Sequence, residues 1–408
     1  MNHPASEMGH LLEATLKAAR QEEPNDVSTR PPLGPPAVRA EGSSKQPFIP
    51  VYQPDLGGNV KAYVNECIDT SWISGQGRFV GAFEQAFAER VGCQNAITVC
   101  NGTVALHLAL VALGIGPGDE VIVPTLTYIA SVNAITYTGA TPVFVDSLRE
   151  TWQIDPEDVR RCITERTRAI MVVHLYGQAC DMAALGAIAR EHRLFMVEDC
   201  AEAFGSTYQG QHVGTFGDIA TFSFYGNKTI TTGEGGMVVT NDKTLYDRCR
   251  RFRGQGLAAY REYWHDLIGY NYRMTNVAAA IGLAQLERAD EFIERKRALA
   301  ARYDAMLKKL PLEMHAQAPG SVHSYWMVSV LVDNPEHREP LRAHLRSAGI
   351  ETRPLFYPVH TMPPYARSYR RHEVAEDLSW RGINLPSWPA LGDAELVRIE
   401  DALSTYYA

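Results

Sequence analysis

The residue best suited to chemistry is Lys228, which follows the apolar stretch IATFSFYGN at 219–227 and precedes a glycine-rich turn, GEGG, at 233–236. A lysine is rarely buried in such surroundings unless its amine has a covalent or ionic partner. Burial favours the neutral amine, which attacks carbonyl groups and forms Schiff bases with aldehydes such as pyridoxal phosphate. The alternative is a lysine that extends its ammonium group to water from the end of a strand.

Further polar residues follow predicted strands, at the edge where open α/β sheets bind ligands. Gly102 and Thr103 follow a strand at 96–99 and begin a helix, whose free N–H groups suit a phosphate. The alternative is that Asn101 and Thr103 are only helix-capping residues. Tyr128 follows a strand at 120–123 and offers a ring that can stack on a flat heterocycle or pack in the core.

Asp199 and Ser223 complete the pattern at two other strand ends. A buried carboxylate needs a cation or several donors, and a protonated pyridine nitrogen is such a cation; a helix N-cap is the alternative for Asp199. The Ser223 hydroxyl suits a phosphate but is also compatible with an ordinary strand serine. With Lys228, these groups form a complete site for pyridoxal 5'-phosphate, whose amino form is pyridoxamine 5'-phosphate.

The elements that must position these residues alternate between apolar runs and helical patterns, which is typical of a mostly parallel sheet flanked by helices. We predict strands at 96–99, 120–123, 141–145, 168–173, 194–197, 219–224, 237–240 and 325–332. We predict helices at 103–113, 129–137, 156–163, 182–192, 276–310 and 338–348, with a last one beginning near 393. The expected organisation is a flexible extension at 1–46, a large α/β domain at 47–290 and a smaller α+β domain at 291–408.

Composition narrows the function classes. The chain has 408 residues, 45% of them hydrophobic, and a formal net charge of -8, which disfavours nucleic acid or an acidic membrane surface as a partner. The seven cysteines show no C-x-x-C spacing, so neither a disulfide framework nor a metal site is expected. Without a signal-type or membrane-spanning apolar run, we expect a cytoplasmic protein.

Five stretches of the sequence resemble one family: DTSWISGQGRFV, VHLYGQACDM, SFYGNKTITTGEGG, GYNYRMTN and ETRPLFYPVHTMPPY. From about residue 48 to its end, the chain resembles the DegT/DnrJ/EryC1/StrS sugar-nucleotide aminotransferases. The resemblance implies an α/β enzyme of pyridoxal-phosphate fold type I, which is the aspartate aminotransferase-like fold. It also implies a homodimer with shared active sites.

The resemblance assigns roles to individual residues. Lys228 matches the lysine that binds the cofactor, Asp199 its ring-nitrogen partner, and Glu202 a residue that reaches the cofactor's 3-hydroxyl. Asn271 matches a residue that crosses to the phosphate in the neighbouring subunit. The expected cofactor contacts are Gly102, Thr103, Tyr128, Asp199, Glu202, Ser223, Lys228 and Asn271.

The expected reaction moves an amino group from L-glutamate to C4 of a nucleotide-linked 4-keto-6-deoxy sugar, giving a 4-amino-4,6-dideoxy sugar. The quoted stretches favour GDP-4-keto-6-deoxymannose, and a UDP- or dTDP-linked sugar is the alternative. Arg353, Tyr357 and His360 are candidate substrate contacts, or else loop-packing and solvated residues. A catalytically silent, cofactor-binding regulator is the alternative of a different class. The sequence does not distinguish a lipopolysaccharide O-antigen from a secondary metabolite as the end product.

Overall fold

The structure is a computed structural model that describes residues 47–408. The predicted extension at 1–46 lies outside the described residues. Two sheets dominate the part that is described, one with seven strands and one with four, and a small three-stranded sheet combines strands from both segments of chain. Among residues 47–408, no helix has the length and apolar character that crossing a bilayer requires.

The large sheet consists of β1 (Asn95–Val99), β2 (Glu120–Pro124), β3 (Thr141–Val145), β4 (Thr167–Val173), β5 (Phe195–Asp199), β8 (Ile219–Ser223) and β9 (Gly236–Thr240). Their order is β1-β9-β8-β5-β4-β2-β3. Only β9 pairs antiparallel with its neighbours, so the other six strands share one direction. Their carboxyl ends therefore meet at one edge of the sheet, which is where open α/β sheets bind ligands.

Helices cover both faces of this sheet, because its strands are apolar on both sides. Residues 47–253 contain α1 (Val60–Asp69), α2 (Arg78–Val91), α3 (Gly102–Leu113), α4 (Ile129–Tyr137), α5 (Pro156–Cys162), α6 (Met182–His192) and α7 (Lys243–Arg253). On one face Phe83 and Phe87 of α2 contact Phe224, and Phe87 also contacts Phe222. On the other face α3 and α4 pack against the alternate strand residues.

The C-terminal part forms an antiparallel sheet in the order β10-β12-β14-β13. Its strands are β10 (Leu312–Met314), β12 (Val328–Val332), β13 (Arg353–Pro354) and β14 (Gly382–Leu385). The helices are α8 (Asn276–Leu286), α9 (Ala289–Leu307), α10 (Pro335–Ser347), α11 (Glu373–Arg381) and α12 (Asp393–Tyr407). The third sheet joins β11 (Ser321–Val322) to β6 (Thr207–Tyr208) and β7 (Gln211–His212).

The mixed α/β class with a mostly parallel sheet and a smaller antiparallel sheet is as the sequence predicted. The division of the chain into two domains near residue 290 stays a proposal. It is supported by the position of α9, which follows the last strand of the seven-stranded sheet and precedes the first strand of the four-stranded sheet in the sequence. The pairing of β11 with β6 shows that the C-terminal segment also returns to the larger part.

Several element boundaries differ from the prediction by one or two residues, and three larger differences have an identifiable physical cause. The expected helix at 276–310 is broken between α8 and α9, where Arg288 turns to an ion pair with Asp55 at 2.8 Å. The expected strand at 325–332 begins only at Val328, because Tyr325 has a φ of 51° that no strand accommodates. The helix expected from 338 begins three residues earlier, since the Asn334 side chain accepts a hydrogen bond from the Glu336 N–H.

Candidate active site

A cavity of about 690 Å³ lies at the carboxyl edge of the large sheet. Residues at the ends of β5 and β8, the start of α3 and the start of α4 line it together with the segment around Trp326 and with Arg353. The volume falls in the range of small-molecule sites. The sheet order therefore brings together residues that are more than a hundred positions apart in the sequence.

Lys228 lies at the floor of this cavity, in the turn that follows β8. Its Nζ is 3.8 Å from Glu202 Oε1 and 3.8 Å from the centroid of the Trp326 ring. Burial lowers the pKa of Lys228, while the nearby carboxyl groups of Glu202 and Asp199 oppose that shift. A lowered pKa increases the fraction of neutral amine near neutral pH, and the neutral amine is the form that reacts with an aldehyde.

Asp199 ends β5, between β4 and β8, and is almost fully buried. The Ser131 hydroxyl donates to its Oδ2 at 2.7 Å, and the Ala201 N–H donates to its Oδ1 at 3.0 Å. Burial raises the pKa of Asp199, and these two hydrogen bonds oppose the shift. Because a buried carboxylate gains most from a nearby cation, this position suits the protonated nitrogen of a pyridine ring.

Glu202 lies beside the lysine, and its Oε2 accepts a hydrogen bond from the Tyr176 N–H at 2.8 Å. Burial raises the pKa of Glu202 to about 7, although Lys228 opposes the shift. The Glu202 carboxyl group can therefore change its protonation state near neutral pH, within 4 Å of the Lys228 amine.

Gly102 and Thr103 form the start of α3 and line the cavity opposite Ser223. Asn101 caps the helix by accepting from the Val104 N–H at 3.0 Å, whereas Thr103 lies within the first turn of the helix. A Cβ atom on Gly102 would lie 2.8 Å from the Cβ of Ser223. Only glycine allows this close approach, which leaves a small polar hollow with a helix N-terminus as the phosphate of pyridoxal phosphate requires.

Tyr128 stands at the start of α4 and lines the cavity wall. Its side chain is half exposed, at 57%, and its ring centroid is 5.5 Å from that of Phe356. An aromatic ring exposed in a cavity is available to stack on a ligand, whereas core packing would have buried it. The buried lysine, the buried acid, the polar hollow and this ring together fit pyridoxal phosphate.

The four remaining candidates lie in different surroundings. Arg353 lines the cavity and forms an ion pair with Glu351 at 3.1 Å. Tyr357 and His360 are not among the lining residues. The Tyr357 hydroxyl accepts a hydrogen bond from Arg338, and only 2% of the His360 surface is exposed. Asn271 is exposed, pairs through its backbone with Gly254, and is not among the residues that line the cavity of its own chain.

The structure does not bring Tyr357 and His360 to the cavity, so a substrate contact by either stays a prediction. His360 is held from two sides, by the Thr125 hydroxyl at 2.6 Å and by Glu376 Oε1 at 3.2 Å. These contacts resemble packing of the loop more than recognition of a ligand.

Among the lining residues that reasoning from the sequence missed, two contact the predicted site residues directly. Ser131, which donates to Asp199, lies three residues after Tyr128, one helical turn further along α4, and this spacing was a usable signal. Trp326 covers Lys228 with its ring and donates from Nε1 to the Asn227 carbonyl at 2.7 Å. The sequence held no signal for Trp326, because it belongs to an irregular segment nearly a hundred residues away.

The residues on either side of Asp199, Glu198 and Cys200, form a buried group with His174. The atoms of these three side chains that could coordinate a metal ion lie within 4.8 Å of one another. Glu198 Oε2 accepts from His174 Nε2 at 3.0 Å and from the Gly214 N–H at 2.7 Å. Its Oε1 accepts from two further backbone N–H groups, at 2.8 and 2.7 Å. Four donors use the full acceptor capacity of this carboxylate, which ties β5 to the loop before β8.

Comparison with known proteins places this cavity in a class. The protein is a pyridoxal-phosphate-dependent aminotransferase of fold type I. It belongs to the DegT/DnrJ/EryC1/StrS aminotransferase family, whose sequence profile matches residues 54–404. The resemblance and the cofactor inferred from the sequence are thereby confirmed.

Three relatives illustrate the similarity. The chain is 62% identical over 361 residues to a GDP-perosamine synthase of Escherichia coli O157:H7, covering 88% of this chain and 99% of that protein. It is 51% identical over 364 residues to a GDP-perosamine synthase of Vibrio cholerae, with 88% and 99% covered. The crystal structure of S. venezuelae DesV in complex with a ketimine intermediate superposes with a TM-score of 0.83, at 36% identity, covering 89% and 99% of the two chains.

Proposed function

We propose that this aminotransferase moves an amino group from L-glutamate to C4 of GDP-4-keto-6-deoxy-D-mannose and so forms GDP-perosamine. The observation that carries the proposal is the 62% identity, over nearly the whole of both chains, to a GDP-perosamine synthase. The cavity agrees with it, because a single site must serve both the amino donor and the keto sugar.

Pyridoxal phosphate, when bound, supplies an aldehyde that takes up the amino group and a ring that delocalises the electrons of a breaking C–H bond. Lys228 is proposed to bind it and, once released, to carry the proton at Nζ to and from the carbon that bears the amino group. General acid-base catalysis of this kind contributes about 10² to 10⁴ in rate. The same lysine serves both half-reactions, since amino uptake and amino release are the same steps in opposite directions.

The other residues bind and orient. Asp199 would accept a hydrogen bond from the protonated ring nitrogen and keep it charged, with Ser131 holding the carboxylate in place. Gly102, Thr103 and Ser223 would hold the phosphate, Tyr128 would flank the ring, and Glu202 would face the 3-hydroxyl. Trp326 excludes water from one side of Lys228 Nζ.

Arg353 is proposed to bind an anionic part of the substrates. Among the described residues that line the cavity, positive charges come from Lys228 and Arg353. Since Lys228 is engaged with the cofactor, Arg353 is the group available to a carboxylate of glutamate or to the diphosphate of the sugar nucleotide.

We also propose a homodimer that shares its active sites and works in the cytoplasm. Asn271 supports the first part, because it is exposed and outside its own cavity, as a residue that reaches a neighbouring site should be. The seven cysteines support the second part, because all of them are free thiols.

The test of the proposed substrate is a product assay with glutamate and 4-keto-6-deoxy sugars linked to GDP, UDP and dTDP. We expect kcat/KM for the GDP-linked sugar to exceed the others by about a hundredfold or more, since a base-specific site rejects the wrong hydrogen-bonding pattern strongly. Equal or faster turnover of a UDP- or dTDP-linked sugar would refute the nucleotide assignment while leaving the aminotransferase class intact.

A further inference from the structure

A second buried lysine, Lys296, lies outside the cavity on α9. Only 1% of it is exposed. Its Nζ donates to the Trp326 carbonyl at 2.9 Å and to the Ser387 carbonyl at 2.6 Å. In the described part of the chain, its ammonium group is thus held by carbonyl oxygens and an aromatic face rather than by a carboxylate.

Such a lysine is costly for stability. Burial lowers the pKa of Lys296 to about 7, so keeping its positive charge works against folding at neutral pH. A methionine of similar length would fill the same space without that cost, but it would leave the Trp326 and Ser387 carbonyls without the donor that Lys296 supplies. Packing alone therefore gives no reason for a lysine at this position.

The contacts of Lys296 lead to Lys228 by two routes. Trp326, whose carbonyl accepts from Lys296, places its ring 3.8 Å from Lys228 Nζ. Tyr52, whose ring centroid is 5.3 Å from Lys296 Nζ, donates from its hydroxyl to the Lys228 carbonyl at 2.7 Å. One ammonium group thus contacts both the residue that covers the Lys228 amine and the residue that holds the Lys228 backbone.

The segment that carries Trp326 needs such a restraint. Tyr325, the residue before it, has a φ of 51°, which is unfavourable for a residue other than glycine. β12 begins only at Val328, so no strand pairing fixes the Trp326 backbone. The hydrogen bond from Lys296 to the Trp326 carbonyl supplies what the missing sheet ladder would otherwise provide.

We propose that Lys296 is a positioning residue for Lys228, acting through Trp326 and Tyr52. The inference rests on the proposed role of Lys228 as the cofactor-binding lysine. Lys296 itself touches neither cofactor nor substrate. It keeps the Trp326 indole over the Lys228 amine, and it keeps the Lys228 backbone in a fixed position in the cavity. The face of the indole then stabilises positive charge on Nζ, as aromatic faces do with cations.

The test is Lys296→Met in the full-length holoenzyme, followed by a pH titration of the visible absorption of the lysine-bound cofactor. We expect the titration midpoint to fall by about one pKa unit, because a loosened indole stabilises the charged nitrogen less. We also expect kcat to fall by about tenfold to a hundredfold, as small misplacements of a catalytic group do. Lys308→Met is the matched control: Lys308 follows the same helix, its side chain is 71% exposed, and we expect both values to stay unchanged.

A double-mutant cycle separates positioning from general packing. In a Trp326→Phe background, Lys296→Met should shift the midpoint much less, because the residue through which Lys296 acts has already been altered. An equal shift in both backgrounds, or a lower Tm with an unchanged midpoint and kcat, would overturn the proposal. If Lys296→Met does not fold, Lys296→Gln undergoes the same titration and cycle under the same criteria.

The wild-type control keeps this proposal distinct from the proposed function. Borohydride reduction of wild-type holoenzyme should attach the cofactor to Lys228. If that tag is found while the Lys296 criteria fail, only the positioning role is lost; if the tag is absent from Lys228, the proposed function fails first.

Discussion

Two regions bound the cavity and are built in opposite ways. The strand-end wall, consisting of Gly102, Asp199, Glu202, Ser223 and Lys228, stands where parallel strands end, and its acids are buried and hydrogen-bonded to fixed groups. The 353–360 segment is mostly irregular, and of its candidate residues only Arg353 reaches the cavity. The wall is therefore suited to holding a cofactor in a fixed position, and the segment to substrates that enter and depart.

The difference has a consequence for kinetics. Residues in a rigid, water-poor wall act on the transition state, so their loss lowers kcat. Residues at an exposed mouth contribute binding that is similar in ground and transition states, so their loss raises KM. Substitutions in the strand-end wall should therefore lower kcat, whereas substitutions in the 353–360 segment should raise KM.

Lys228→Ala should have the largest effect. Without the amine that binds the cofactor and moves the proton, turnover should fall by about 10⁴-fold or more. Steady-state assay with glutamate and the keto sugar measures this, and circular dichroism checks that the variant is folded. Turnover close to that of the wild type in a folded variant would show that Lys228 is not required for catalysis.

Asp199→Asn should rank second. The amide keeps the shape and can still accept from Ser131, but it no longer provides the negative charge that keeps a ring nitrogen protonated. We expect kcat to fall by about 10² to 10³, with KM for the keto sugar nearly unchanged. A change confined to KM would contradict the division between the two regions.

Arg353→Gln should show the opposite pattern. Loss of a charge-assisted hydrogen bond to an anion should raise KM for glutamate or for the sugar nucleotide by about tenfold, with little change in kcat. Arg346→Gln on the exposed side of α10 is the matched control and should leave both constants unchanged. If Arg353→Gln behaves like this control, the cavity must bind its anionic substrates by other groups.

Glu202→Gln should have the smallest effect and a distinct dependence on pH. The pKa of Glu202 is about 7 in the folded protein against its usual 4.5, so between these values the folded protein holds a proton that the unfolded chain has released. This contribution to stability is present below the lower value and is lost as pH rises to the upper one. As the pH rises from about 5 to about 8, the Tm of cofactor-free Glu202→Gln should therefore increase by a few degrees relative to that of the cofactor-free wild type.

A constant difference in Tm across that range would show that Glu202 does not titrate in the folded protein. Lys228 opposes the shift, so the measurement should be repeated in a Lys228→Ala background, where the pKa of Glu202 should be higher still. This comparison isolates the coupling within the wall.

The wall could largely be inferred from the sequence, whereas the 353–360 segment could not. Strand ends follow from apolar runs, and parallel pairing then brings Asp199, Ser223 and Gly102 to one edge, whatever their separation along the chain. Between 353 and 360 no periodicity determines where side chains point, so Arg353, Tyr357 and His360 were equally plausible, and only Arg353 lines the cavity.

Long-range contacts that involve irregular backbone were also missed. The break in the 276–310 helix depends on an ion pair between Arg288 and Asp55, and the place of Trp326 depends on the backbone at Tyr325. Helices α1 and α2, both between 48 and 95, were not predicted. Contacts between distant residues decided the local structure at the helix break and at Trp326, whereas α2 carries a helical spacing of apolar residues, Phe79, Phe83 and Phe87, that was a usable signal.

The central claim is that Lys228 carries the cofactor within the strand-end wall. The most direct test is to reduce the loaded wild-type enzyme with borohydride, digest it and locate the pyridoxyl group by mass spectrometry. We predict one modified peptide, containing 219–236, with the added mass on Lys228. Modification of a different lysine, or none in fully loaded enzyme, would contradict the account.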